Sequence, residues 1–95
     1  MIIGSLRVRL LLRESRSLKD KRQVVRSIKD RLRHGFNVSV AEVEALDKTQ
    51  VAVLGVAVIS NEPAHVRHTL DQIIEALRRH PVAEFIDHER DVTSA

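Results

Sequence analysis

The chain has no cysteine, no tryptophan and no tyrosine, and only two phenylalanines, three glycines and two prolines in 95 residues. Without cysteine there are no disulfides and no thiolate metal sites. Three glycines cannot build a phosphate-cradling Walker loop. Without tyrosine or tryptophan, the chain lacks the aromatic platform on which sheet-based modules stack single-stranded RNA bases. No apolar run approaches the ~20 residues of a membrane span. The N-terminal MIIGSLRVRLLLRE has no basic segment leading into an apolar block, so no signal peptide is expected. The expectation is a cytoplasmic protein with no membrane partner.

What is present is charge and aliphatic surface. At 43% hydrophobic and 31% charged residues, the chain reads as one globular domain, residues 1–95, with a single two-layer core. Twelve of the sixteen cations are Arg and Asn plus Gln number five, a profile that fits a thermophile or a GC-rich genome. The net charge of +3 hides an asymmetry: residues 1–33 carry +8 and residues 34–95 carry −5. A chain polarised in this way can set its first third against an anionic partner, or neutralise one half with the other.

Residues 2–13 alternate from Leu6, with Leu6, Val8, Leu10 and Leu12 on one face and Arg7, Arg9, Leu11 and Arg13 on the other, which predicts a strand with one buried face. Ser17 then caps a helix, with Asp20 in the capping-box position, and Gly35 is the expected left-handed stop. A second strand is expected from Phe36 to about Val43, and a third from Gln50 to Ile59. VAVLGVAVI in the third is apolar on both faces, the mark of a central strand covered on both sides. Ser60-Asn61-Glu62-Pro63 opens a second helix with core stripe Val66, Leu70, Ile73 and Leu77, and Pro81 stops it. The last strand spans Ala83 to Val92, with Ile86 inward and Asp87, Glu89 and Asp91 outward. The expected core joins these to Val25, Ile28, Leu32, Val38 and Val40.

The order β-α-β-β-α-β is the ferredoxin-like, split-βαβ arrangement of the α+β class. Right-handed crossovers give a four-stranded antiparallel sheet of order 4-1-3-2 with both helices on one face. SLKDKR at Ser17–Arg22, FNVSVAEV at Phe36–Val43 and VLGVAV at Val53–Val58 together resemble the small bacterial YlxP-like family, a domain of unknown function. The resemblance spans nearly the whole chain. It implies a ferredoxin-like fold and a gene kept among translation factors, near initiation factor two and ribosome-binding factor A. It brings no catalytic residues. The family pattern has a Trp before the third strand, where this chain has Asp47-Lys48-Thr49-Gln50.

One constellation stands out. Lys19, Arg22, Arg26, Lys29 and Arg33 follow the spacing 3, 4, 3, 4, which sets five cations along one ridge of the first helix, ~21 Å long at ~1.5 Å per residue. Such a ridge suits the phosphates of a polyanion, or is a solvated helix face. Lys21 falls in the apolar stripe beside it, where its stem would pack and its head snorkel to water. Arg7, Arg9 and Arg13 on the open sheet face suit a cross-strand ladder with Asp87, Glu89 and Asp91.

No other pattern carries chemistry. His65 and His68 lack a third ligand, there is no nucleophile elbow, and Glu14-Ser15-Arg16 stands where acylphosphatases of this fold class carry a glycine-rich anion loop. The sequence therefore implies no enzyme, no cofactor and no metal. The expected function is an RNA- or ribosome-associated module binding phosphate through the first helix. The alternative is a homo-oligomer, most simply a dimer, or a small-ligand sensor. It would use an open sheet face carrying Leu54, Val56 and Val58, or else the row Val51, Val53 and Ile59.

Overall fold

The computed structural model describes residues 1–95. Strand β1 (Ile2–Leu11), helix α1 (Leu18–Gly35), strands β2 (Ser39–Glu44) and β3 (Val51–Ser60), helix α2 (Pro63–Arg78) and strand β4 (Glu84–Ser94) follow in that order. The four strands form one antiparallel sheet, β2-β3-β1-β4, which is the βαββαβ architecture expected. In β1, Gly4, Leu6, Val8 and Leu10 point to the helices, and opposite them β3 sets Val58, Val56, Leu54 and Ala52. Helix α2 packs Val66, Leu70, Ile73 and Leu77 on this double row, while Val25, Ile28 and Leu32 of α1 cover the β2 side. Each such side chain taken fully from water contributes about 1.5–3 kcal/mol.

That register corrects one expectation. Leu54, Val56 and Val58 are 0–3% exposed within the core, so they cannot form an interface. Because β1 pairs Leu6 with Val56, the inward row of β3 is fixed as the one that faces α2. The row on the open face is Val51, Val53, Gly55, Ala57 and Ile59. Its middle is covered by the chain itself: Val53 is only 6% exposed, beside Arg7, Arg9 and Glu44, and Val43 lies over Gly55. The second apolar face of β3 is thus partly explained without a partner.

Local chemistry moves several boundaries. Ser17 caps α1 by accepting from Asp20 N–H at 3.1 Å, but Asp20 returns its carboxylate to the N–H of Arg16, one residue before the cap. Gly35 is the last helical residue and no glycine has positive φ; Phe36, extended at φ −143°, closes the helix by donating its N–H to Leu32 O at 2.9 Å. The chain then turns at Phe36–Val38, so β2 begins at Ser39. Glu62 rather than Ser60 or Asn61 precedes α2, and it makes no side-chain cap; Pro63 begins the helix without needing a donor there. In β4 the register slips between Arg9 and Leu10 of β1: Asp87 opposes Arg9 and Phe85 opposes Leu10. Ile86 is the extra residue of this bulge and is 45% exposed, not inward as its parity suggested. Phe85 takes its place against the core, with the Arg78 guanidinium 4.4 Å above its ring.

Candidate nucleic-acid interface

Helix α1 presents a buried row and, beside it, a row of cations. Val25, Ile28 and Leu32 are buried, with Lys21 in line with them. On the flank towards the β2 edge run Lys19, Arg22, Arg26 and Arg33, all exposed, with Lys29 half-buried. The structure therefore assembles the five expected cations on one ridge. Arg33 is partly committed, since it donates to Val40 O of β2 at 3.1 Å. The other four have no side-chain hydrogen bond, and none of the six ion pairs in the protein includes a ridge residue. Lys19 and Arg22 also stand in the first turns, where cations oppose the helix dipole, a cost that an anion would relieve.

The arginines of β1, Arg7 and Arg9, and Arg13 just beyond its end are in the opposite situation. Arg7 donates to Glu89 at 2.8 Å and also to Glu44, Arg9 to Asp87, and Arg13 to Glu84 at 2.9 Å. The hydrogen bond to Glu89, then that to Glu44, holds the Arg7 guanidinium still more firmly protonated, and Asp87 does the same for Arg9. The expected ladder is present at Arg7 and Arg9. Arg13 takes Glu84 instead, because the bulge carries the acidic row out of step, and Asp91 opposes Ser5. Exposed pairs of this kind add little to stability, because water and salt screen them. Their larger effect is to leave β1 with no free cation to offer a partner.

Beside the ladder lies a groove of about 520 Å³, floored by Ser5, Ala57, Ser39 and Ala41 and walled by Val43, Arg7 and Glu89. Ser5, Ala57 and Ser39 are direct cross-strand neighbours. Sequence reading missed this depression, which appears only once the register aligns small residues from three strands.

It also misplaced Lys21. The side chain is 1% exposed, and its ammonium does not reach water. It donates to Ala45 O at 2.8 Å, Val51 O at 3.1 Å and, more weakly, Leu46 O at 3.4 Å. Glu42 Oε2 lies 2.8 Å from the same nitrogen but out of line for a hydrogen bond, so that buried oxygen is held by charge alone. Lys21 thus ties α1 to the loop between β2 and β3 and to the first residue of β3. No group of three or more His, Asp or Glu is placed to hold a metal, and His65 and His68 are exposed on α2. No helix is long and apolar enough to cross a membrane.

Among known proteins, the chain is 28% identical over 83 residues to the uncharacterized protein YlxP of Bacillus subtilis (strain 168), covering 87% of this chain and 90% of that one. Residues 3–90 match the sequence model of the family described as "Protein of unknown function (DUF503)". Since that match takes in both helices and all but the ends of the sheet, the chain belongs to the DUF503 family.

Proposed function

We propose that this protein is a non-catalytic, cytoplasmic module that associates with RNA or the ribosome by holding phosphates along α1. The observation that carries the reading is the contrast between two sets of cations. Arg7 and Arg9 of β1 and Arg13 just beyond it are neutralised by acids of β2 and β4, whereas Lys19, Arg22, Arg26 and Lys29 have no counter-ion. A row of unpaired cations ~15 Å long at ~1.5 Å per residue matches the requirement of a phosphate backbone, which rewards each contact by counter-ion release. The translational gene company implied by the family resemblance points the same way. Fluorescence polarisation with ribosomal RNA fragments at two salt concentrations tests it. Changing Arg22 and Arg26 to Gln should weaken binding for every sequence, since phosphate contacts position without specifying. Equal binding by variant and wild type at both salts would end the proposal.

A second reading rests on a separate observation. Val43, which lines the open-face groove, and Ile59, next to Ala57 on the outward row of β3, stand 48% and 57% exposed, an apolar surface that a second copy of the chain could cover. This dimer would use Ala57 and Ile59 in place of Leu54, Val56 and Val58. Both readings are compatible, because the ridge and the open face are on different sides of the sheet.

A further inference from the structure

The ridge is not the whole solvent face of α1. One step further round the helix run Gln23, Ser27, Asp30 and His34, at the spacing 4, 3, 4 that keeps them in a second row parallel to the cations. All four are exposed, and none of their side chains has a hydrogen-bond partner or a salt bridge. The exposed face of α1 therefore carries two tracks side by side: one of positive charge, and one of polar groups in which Gln23, Ser27 and His34 offer both donors and acceptors and the Asp30 carboxylate accepts only.

Single-stranded nucleic acid is held mainly by stacking its bases on aromatic rings. Nothing near the ridge offers one. Phe36 packs against the core, and Phe85 is a β4 residue already covered by Arg78. The ridge arginines project from a single convex helix, with no second wall to sandwich a base. A duplex asks for no stacking, because its bases are already stacked and its phosphates form regular outer rows. An A-form RNA duplex adds a wide, shallow minor groove in which the phosphate row is flanked by 2′-hydroxyls, each both donor and acceptor. The two tracks on α1 have that same order, charge beside mixed hydrogen-bonding groups.

Resting on the phosphate-binding reading above, we infer that α1 is a docking face for double-stranded RNA. The Lys19–Arg33 ridge lies along a phosphate row, and Gln23, Ser27, Asp30 and His34 meet the adjacent 2′-hydroxyls. Recognition of this kind is independent of base sequence and discriminates RNA from DNA through the hydroxyl alone.

The experiment titrates full-length protein against a 20-base-pair RNA duplex, its two separated strands and a DNA duplex of the same sequence. Three proteins are compared: wild type, Arg22→Gln with Arg26→Gln, and Gln23→Ala with Ser27→Ala. Wild type should bind the RNA duplex about ten-fold more tightly than the DNA duplex, the size of effect that two or three net hydrogen bonds supply. It should bind the separated strands more weakly still. The Gln23/Ser27 variant should lose most of the RNA-over-DNA preference while binding DNA as wild type does. Because all four positions are exposed, thermal melting should show both variants folded. Single strands or DNA binding as tightly as the RNA duplex overturns the inference, and if the Arg22/Arg26 variant still weakens every ligand, the phosphate-binding reading survives it. An RNA preference unchanged in the Gln23/Ser27 variant also overturns it. Loss of any Arg22/Arg26 effect removes both.

Discussion

The ammonium of Lys21 donates to the carbonyl oxygen of Ala45 at 2.8 Å, across 24 residues of chain, and Ala45 is the one non-glycine residue with positive φ, at 56°. The two facts belong together. A left-handed residue turns its carbonyl inward, where with Val51 O it forms a polar socket, and the only cation on the buried row of α1 fills it. Removing the cation leaves those carbonyls and Glu42 without a partner in a dry site. Lys21→Met should therefore cost about 3 kcal/mol, the range seen when one member of a buried charged pair is deleted. Urea unfolding measures it, and a change below 0.5 kcal/mol would contradict the socket. Adding Glu42→Gln to Lys21→Met should recover part of the loss, because the unpaired charge is then gone.

Ala45 itself gives the converse prediction. A left-handed conformation costs an L-residue roughly 1–2 kcal/mol, while glycine adopts it freely but is more flexible when unfolded. Ala45→Gly should be neutral or stabilising by up to about 1 kcal/mol. A clear loss of stability would mean that the Ala45 methyl is packed, contrary to its position in a half-buried turn.

Gly4 is needed for a different reason, namely space. A Cβ added there would lie 2.4 Å from Val66 Cγ1 and 3.2 Å from Leu70 Cδ1, both in side chains that are completely buried. Val66 is β-branched and cannot swing aside cheaply in a helix. Gly4→Ala should cost about 1–3 kcal/mol by overpacking. Val66→Ala in the same chain should restore much of it, whereas a backbone cause would leave the double variant as unstable as the sum of the two.

These sites show which parts of the molecule can be read from sequence. Strand order and β1 orientation were legible, because Leu6, Val8, Leu10 and Leu12 alternate with charge, and the acidic parity of Asp87 and Glu89 points to the arginine row. The choice between two apolar rows on β3 was not legible. Val51-Val53-Ile59 and Leu54-Val56-Val58 are equally hydrophobic, and only the pairing of Leu6 with Val56 decides which is inside. Ile86 was misread because a bulge breaks the period of two, and nothing local to Phe85-Ile86-Asp87 announces it. The helical wheel placed Lys21 on the buried face correctly. Whether its head reached water depended on a carbonyl socket made 24 and 30 residues later, which no periodicity encodes.

His80 supplies a pH dependence. Burial, and then the positive charge of Arg31, hold its pKa below the usual 6.5, and its Nδ1 accepts from Val82 N–H at 3.3 Å. The folded state prefers neutral imidazole, so the unfolded chain takes up the proton first as acid is added. Stability from this group is intact above pH ~6.5 and is lost as pH falls through the lower folded value. His80→Asn keeps an acceptor but cannot charge. Between pH 7.5 and 5 the variant should lose less melting temperature than wild type. A gap between the two that stays constant with pH would rule out His80 as the source.

The open sheet face leads to the last prediction. If a second copy covers it, the contact must involve Ile59 and Ala57 on the outward row of β3, since the other half of the face is taken up by the Arg7 and Arg9 ladder. Wild type should then sediment as a dimer at high micromolar concentration. Ala57→Lys with Ile59→Lys should sediment as a monomer, with its melting temperature little changed, because both side chains are exposed in one protomer. The Arg22/Arg26 variant should remain dimeric, since α1 lies on the opposite side of the sheet. A clean wild-type monomer at that concentration removes the dimer. In that case the groove over Ser5, Ser39 and Ala57 is an open depression of the monomer, and the phosphate ridge acts alone.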